Sequence, residues 1–169
     1  MTERIPEGES GQKLWLAERV AEVLASVPVR PGDVVVDFGC GAGVYALPAA
    51  EMVGEAGVVH AIDCDAQRMA PVRVAAPDTP ALQAIIGDGN SAIPLPDGSC
   101  DVALVYDVLQ KLDDREGLLR EAYRVLHPGG VLSVYPMHLD PAEVRALLEA
   151  AGFRFRDDFA GLVLHFIRE

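Results

Sequence analysis

Val34, Val35 and Val36 lead into Asp37 and Phe38, and Gly39, Cys40, Gly41, Ala42 and Gly43 follow at once. A short continuous apolar run of this kind reads as a buried strand, and glycines at its carboxyl end let the backbone turn tightly and come close to a ligand. A dinucleotide fingerprint, G-x-G-x-x-G, would need its third glycine at position 44. Val44 stands there, and the third glycine comes one residue early, which weighs against a nicotinamide cofactor. Asp37 precedes the first glycine, where its carboxylate would repel a pyrophosphate and attract an ammonium or a sulfonium. The turn therefore suits a nucleoside that carries positive charge.

Further carboxylates recur where apolar runs end. Asp63 and Cys64 close the second run, about twenty residues past the glycines, the distance at which nucleotide-binding sheets place an acid on ribose hydroxyls. Gly87, Asp88 and Gly89 follow the third run, and Tyr106 and Asp107 follow the fourth, with Gln110 close behind. His138 lies in the loop after the fifth, with a side chain suited to proton removal near neutrality, although a lone loop histidine is more often a solvated surface residue. His60 and His165 fall inside expected strands and His127 at a helix end. With no Cys/His cluster at ligand spacing, no metal is expected. Cys40, Cys64 and Cys100 form no C-x-x-C pair and are expected as reduced thiols.

The elements that must position these residues alternate. The periodicity predicts a helix over 11–27, a strand ending at Asp37, a helix over 44–53, a strand over 58–62, a helix over 66–75 and a strand over 82–86. A strand over 99–106 and a helix over 115–126 follow, the latter with Leu118, Leu119, Ala122 and Leu126 on one stripe. His127, Pro128, Gly129 and Gly130 form a helix stop before a strand over 131–135. Asp140, Pro141 and Glu143 supply an N-cap, a first-position proline and an early acid for the next helix. Two closing strands over 153–156 and 162–167 complete the order. Strands alternating with helices imply an α/β fold, a doubly wound, mostly parallel sheet with helices on both faces and ligands at the carboxyl strand ends. No linker or repeat interrupts residues 1–169, so one domain is expected, with an N-terminal segment over 1–28 and a core over 29–169.

In these motifs the chain resembles the class I S-adenosylmethionine-dependent methyltransferases, whose first motif is an acid followed by G-x-G-x-G after the first strand. The resemblance extends through Asp63, through Gly87, Asp88 and Gly89, through the run from Ser99 to Tyr106, and through Arg124 to Leu132. It implies seven strands with the last antiparallel, and S-adenosylmethionine as cofactor, with S-adenosylhomocysteine as product. It assigns Asp37, Phe38, Gly39, Cys40, Gly41, Gly43, Asp63, Cys64, Asp88, Gly89 and Tyr106 to the cofactor: Asp63 to both ribose hydroxyls, Asp88 to the adenine amine. Asp107 occupies a slot that contacts the methionine part, where its carboxylate could hold the ammonium or cap the next turn. Gln110 and Lys111 replace a pair that often contains His or Glu, so that position offers no base. The candidate catalytic residues are His138 and Asp107, and the candidate acceptor contacts are Trp15 and Gln110.

Only a few residues separate the fifth strand from the next helix, so the pocket has little roof. Cover could come from the helix bearing Trp15, the sole tryptophan, or from a second copy of the chain, and a homodimer is an expectation on that ground. Trp15 could equally belong to that helix's core stripe. The formal net charge of -12 argues against nucleic acid as a partner, because such binding draws its affinity from Lys and Arg on phosphates. No signal-peptide core or membrane-spanning run is present, which suggests a cytoplasmic protein. The leading expectation is methyl transfer to a small-molecule acceptor. A non-catalytic S-adenosylmethionine-binding or scaffold protein is the alternative, with a NAD-dependent oxidoreductase behind it.

Overall fold

In the computed structural model, which describes residues 4–169, each buried apolar run becomes a strand of one seven-stranded sheet. The strands are β1 (Val34–Phe38), β2 (Val58–Asp63), β3 (Leu82–Ile86), β4 (Cys100–Tyr106), β5 (Leu126–Tyr135), β6 (Phe153–Phe159) and β7 (Val163–Arg168). Their order is β3-β2-β1-β4-β5-β7-β6. Strands β1 to β5 are parallel, and β7 runs antiparallel between β5 and β6. The chain reverses direction across the sheet between β1 and β4, so a crevice opens at their carboxyl ends, where open α/β sheets place ligands.

Among the described residues six α-helices cover the two faces: α1 (Glu9–Ala17), α2 (Val20–Ser26), α3 (Ala46–Val53), α4 (Ala70–Ala75), α5 (Arg115–Val125) and α6 (Pro141–Ala150). Leu16, Val23, Leu24, Ala49 and Val72 bring α1 to α4 into the core on one face. Leu118, Leu119, Val125, Val144 and Leu148 bring α5 and α6 into the core on the other. The last two helices start at side-chain caps, the second of them as expected: Asp114 accepts from the Gly117 N–H at 2.8 Å, and Asp140 accepts from Ala142 at 2.8 Å and Glu143 at 3.2 Å.

Several expectations change. The helix expected over 11–27 is two helices, α1 and α2, broken at Glu18 and Arg19. No glycine or proline marks the break; the Arg19 N–H turns to the Leu16 carbonyl at 3.0 Å, and its guanidinium caps the Trp15 carbonyl while lying 4.3 Å from the Trp15 ring centre. The glycine turn extends to Tyr45 before α3 begins, and α4 begins only at Ala70. The expected stop at 127–130 lies inside β5, as a bulge between the pairs Cys100↔Leu126 and Val102↔Val131.

A buried hydrogen-bond chain ties the cavity side of the sheet to α2. Ser26 Oγ donates to the Val23 carbonyl at 2.6 Å, so it accepts from His165 Nε2 at 3.1 Å. His165 Nδ1 then accepts from Ser133 Oγ at 3.0 Å, and Ser133 accepts the Tyr106 hydroxyl at 2.6 Å. Burial, reinforced by Arg156, lowers the His165 pKa to about 4, which keeps it in this neutral tautomer. Tyr106 thus spends its proton inside the core, and what it offers the crevice is its ring.

Candidate cofactor and acceptor site

A cavity of about 460 Å³ opens at the carboxyl ends of β1, β2 and β4, a size usual for sites that enclose a small ligand. The glycine turn forms its floor. The N–H groups of Gly39 and Cys40 both donate to the Ile62 carbonyl, at 2.8 and 3.0 Å, and the glycines 39, 41 and 43 have φ of 78°, 51° and 83°. Each glycine does different work. A Cβ on Gly39 would stand 2.2 Å from Val108, and one on Gly43 2.6 Å from Val72, so these two permit close packing. A Cβ on Gly41 would meet only the flexible end of Arg68, at 2.9 Å, on the cavity side. That open backbone is a cradle a ligand can approach.

Asp63, buried at the end of β2, braces this floor. Its Oδ2 accepts from the Gly41 N–H at 2.8 Å and its Oδ1 from the Asp65 N–H at 2.9 Å. Each carboxylate oxygen keeps a lone pair for a donor in the cavity. Asp37 is 3% exposed beside it; burial, then the Asp63 charge, push its pKa up to about 7, against a hydrogen bond from the Ala46 N–H. Burial and the same two acids push the Cys40 thiol up, which keeps it an unreactive thiol. Tyr45 lies edge-on to Tyr106, ring centres 4.6 Å apart, and closes one wall.

Of the residues singled out in the sequence, Asp37, Phe38, Gly39, Cys40, Gly41, Asp63, Cys64, Gly89, Tyr106 and Asp107 line the cavity together. Asp88 stands outside the lining, its carboxylate accepting from the backbone and side-chain nitrogens of Asn90 at 3.2 and 2.6 Å, and Asn90 lines the cavity in its place. Gly43 lies beneath the lining. Trp15 also turns away: α1 faces the cavity through Lys13 and Ala17, while the Trp15 ring packs toward Phe159, centroids 6.0 Å apart. Gln110 is outside too, its amide donating to Asp107.

The two candidate bases are both engaged. His138 does not line the cavity; its ring pairs with Glu9, its N–H donates to the same carboxylate at 2.9 Å, and its side chain is half exposed. Asp107 does line it, but Lys13 and Lys111 both reach its Oδ2. Burial raises the Asp107 pKa, and the Lys13 hydrogen bond, both lysine charges and Gln110 together outweigh it and leave the carboxyl below its usual range. A ligand ammonium would have to compete with two lysines there.

Tyr135, at the end of β5 beside Tyr106, drew no attention in the sequence because it reads as the last residue of an apolar strand. Its hydroxyl is buried with no hydrogen-bond partner among the described residues, and the residue lines both the main cavity and a side cavity of about 250 Å³. Burial, with the Glu9 and Asp107 charges, pushes the phenol up, so it stays a donor at neutral pH.

Known proteins share this fold. The methyltransferase domain family matches residues 36–134, which span β1 to β5 and most of the cavity floor. Trans-aconitate 2-methyltransferase of Azoarcus is 33% identical over 132 residues, 78% of this chain and 50% of that protein. The chain thus spans about half the length of this curated relative. A SAM-dependent methyltransferase from Aquifex aeolicus superposes with a TM-score of 0.74 at 24% identity, covering 95% of this chain and 97% of that one. The 1,6-didemethyltoxoflavin-N1-methyltransferase of Burkholderia thailandensis, solved with S-adenosylhomocysteine bound, superposes with a TM-score of 0.73 at 22% identity, covering 94% and 82%. With the acid-led glycine turn, the bracing Asp63 and the β3-β2-β1-β4-β5-β7-β6 sheet, the family match establishes that this chain belongs to the class I S-adenosylmethionine-dependent methyltransferases.

Proposed function

We propose that the chain transfers a methyl group from S-adenosylmethionine to a small-molecule acceptor. The observation that carries this reading is the convergence of the open Gly41 backbone and the buried Asp63 carboxylate on one cavity, with Tyr106 and Tyr135 at its far end. In this reading Asp63 takes the ribose hydroxyls, the backbone around Gly89 and Asn90 lies on the adenine side, and buried Asp37 favours the cationic end. The cofactor supplies an already activated methyl, so the protein's task is to hold an acceptor in line with it and keep water out. The acceptor would enter between α1 and the carboxyl ends of β4 and β5.

Calorimetric titration with S-adenosylmethionine, S-adenosylhomocysteine and NAD tests the cofactor. Binding of the first two and not the third is expected; the reverse would turn the reading toward an oxidoreductase. Methyl transfer across a panel of phenols, amines and carboxylates then separates an enzyme from a non-catalytic binder.

Catalysis in this reading rests on proximity and on Tyr135, not on an imidazole. His138→Ala is expected to retain turnover within about twofold across pH 6–9, where loss of a general base would cost on the order of a hundredfold. Tyr135→Phe is expected to keep or slightly raise Tm, since it removes an unsatisfied buried hydroxyl. It is also expected to lower kcat/KM about tenfold through the acceptor's lost hydrogen-bond donor. A lowered Tm with unchanged kcat/KM would make the hydroxyl structural.

A further inference from the structure

The chain has only two lysines, Lys13 and Lys111; every other basic residue is an arginine or a histidine. One lies on α1 and the other on the short turn after β4, yet both line the cavity and both reach the same oxygen of Asp107, Lys111 at 3.4 Å. Gln110 donates to the other oxygen, and the Asp107 N–H is fixed on the Tyr135 carbonyl at 3.1 Å. Asp107 itself sits at a φ of 56°, the left-handed region that a residue with a side chain adopts only at a cost.

A structural role does not account for this cluster. Both lysines are about half exposed, at 52% and 51%, and exposed ion pairs contribute about 0–1 kcal/mol. A second lysine on an already paired carboxylate adds repulsion from the first. The outcome, among the described residues, is two ammonium groups on one carboxylate, a cluster with one positive charge in excess in a chain whose net charge is -12. The low Asp107 pKa fits this, since the carboxyl stays ionised while holding both. Neither the neutral adenosine nor a cationic sulfonium would be drawn to that charge.

We infer that Lys13 and Lys111 form a carboxylate-binding subsite at the cavity mouth, with Asp107 holding both ammonium groups in place until the ligand's carboxylate joins them. The single excess charge matches a monovalent carboxylate and would leave a phosphate dianion half neutralised. This inference rests on the cofactor reading above. The carboxylate has two possible sources: the amino-acid tail of the cofactor, or the acceptor.

Calorimetry on Lys13→Met, Lys111→Met and the matching Lys→Arg variants tests the subsite and separates the sources. The probes are S-adenosylhomocysteine, 5′-methylthioadenosine, which lacks the amino-acid tail, and small mono- and dicarboxylates with their amides. If the tail is the ligand, the methionine variants weaken S-adenosylhomocysteine about tenfold or more, leave 5′-methylthioadenosine within about twofold, and are rescued by arginine. If the acceptor is the ligand, both nucleosides bind as in the wild type. The wild type saturated with S-adenosylhomocysteine then prefers a carboxylate to its amide, and the methionine variants lose that preference. The inference is overturned if the variants bind both nucleosides normally and the saturated wild type prefers no carboxylate, or if both nucleosides weaken equally as Tm falls. A wild type that binds neither nucleoside would instead overturn the cofactor reading, and the subsite with it.

Discussion

Replacing Asp37 with asparagine is expected to make the ligand-free protein more stable at pH 8, by about 2–4 kcal/mol, while weakening S-adenosylmethionine binding about tenfold or more. The two effects share one cause. Burial first, and the Asp63 charge second, raise the Asp37 pKa from an ordinary 3.8 to about 7. Between those values the folded chain keeps a proton that the unfolded chain has lost. Stability contributed by this group is therefore fully present below about pH 4, falls as pH rises toward 7, and is flat above, at about 1.4 kcal/mol per pH unit at most. Asparagine removes the ionisation and flattens that slope. A cationic ligand beside Asp37 favours the charged form, so affinity for S-adenosylmethionine should climb with pH to about 7 and then level off. Thermal melts and calorimetry from pH 4.5 to 8.5 measure both. An Asp37→Asn protein no more stable than the wild type at pH 8 would mean that the carboxylate is better solvated than its burial implies.

That the fold buries this acid against its own ionisation is a reason the floor of the candidate site was legible in the sequence. A carboxylate at the end of an apolar strand, followed at once by three glycines, breaks the local rules of strand and turn, and such breaks mark function. The strands were legible for the opposite reason, because β1, β2 and β4 follow their apolar runs without conflict. The helix break was not. Nothing between Leu16 and Val20 interrupts the periodicity, and the chain turns there through the placement of Arg19 against Trp15. Nor was the mouth of the site legible, because its contacts are long-range. Lys13 meets Asp107 across 94 residues, and the orphan hydroxyl of Tyr135 emerges only when β5 is laid beside β4. One signal was present all along: Lys111, one of only two lysines in the chain, follows closely on an acid expected in the pocket.

Asp63→Ala is expected to weaken cofactor binding at least a hundredfold, more than the loss of ribose contacts alone. Hydrogen bonds from ribose hydroxyls to a charged acceptor are worth about 1.5–3 kcal/mol. Asp63 also holds the N–H groups of Gly41 and Asp65, so alanine would free the backbone over which the nucleoside lies. The fold should survive, because the freed groups face a cavity that water can enter. Asp63→Asn keeps acceptor capacity through one oxygen and is expected to lose less, about tenfold. Both substitutions remove the like charge that is the second cause of the raised Asp37 pKa, so that pKa should drop and the loss of stability between pH 4 and 7 should shrink. The coupling makes two readouts answer to one residue. A wild-type dissociation constant in Asp63→Ala would remove Asp63 from the cofactor site. An unaltered pH profile beside weakened binding would leave burial alone responsible for Asp37, and would separate the two acids that the cavity floor brings together.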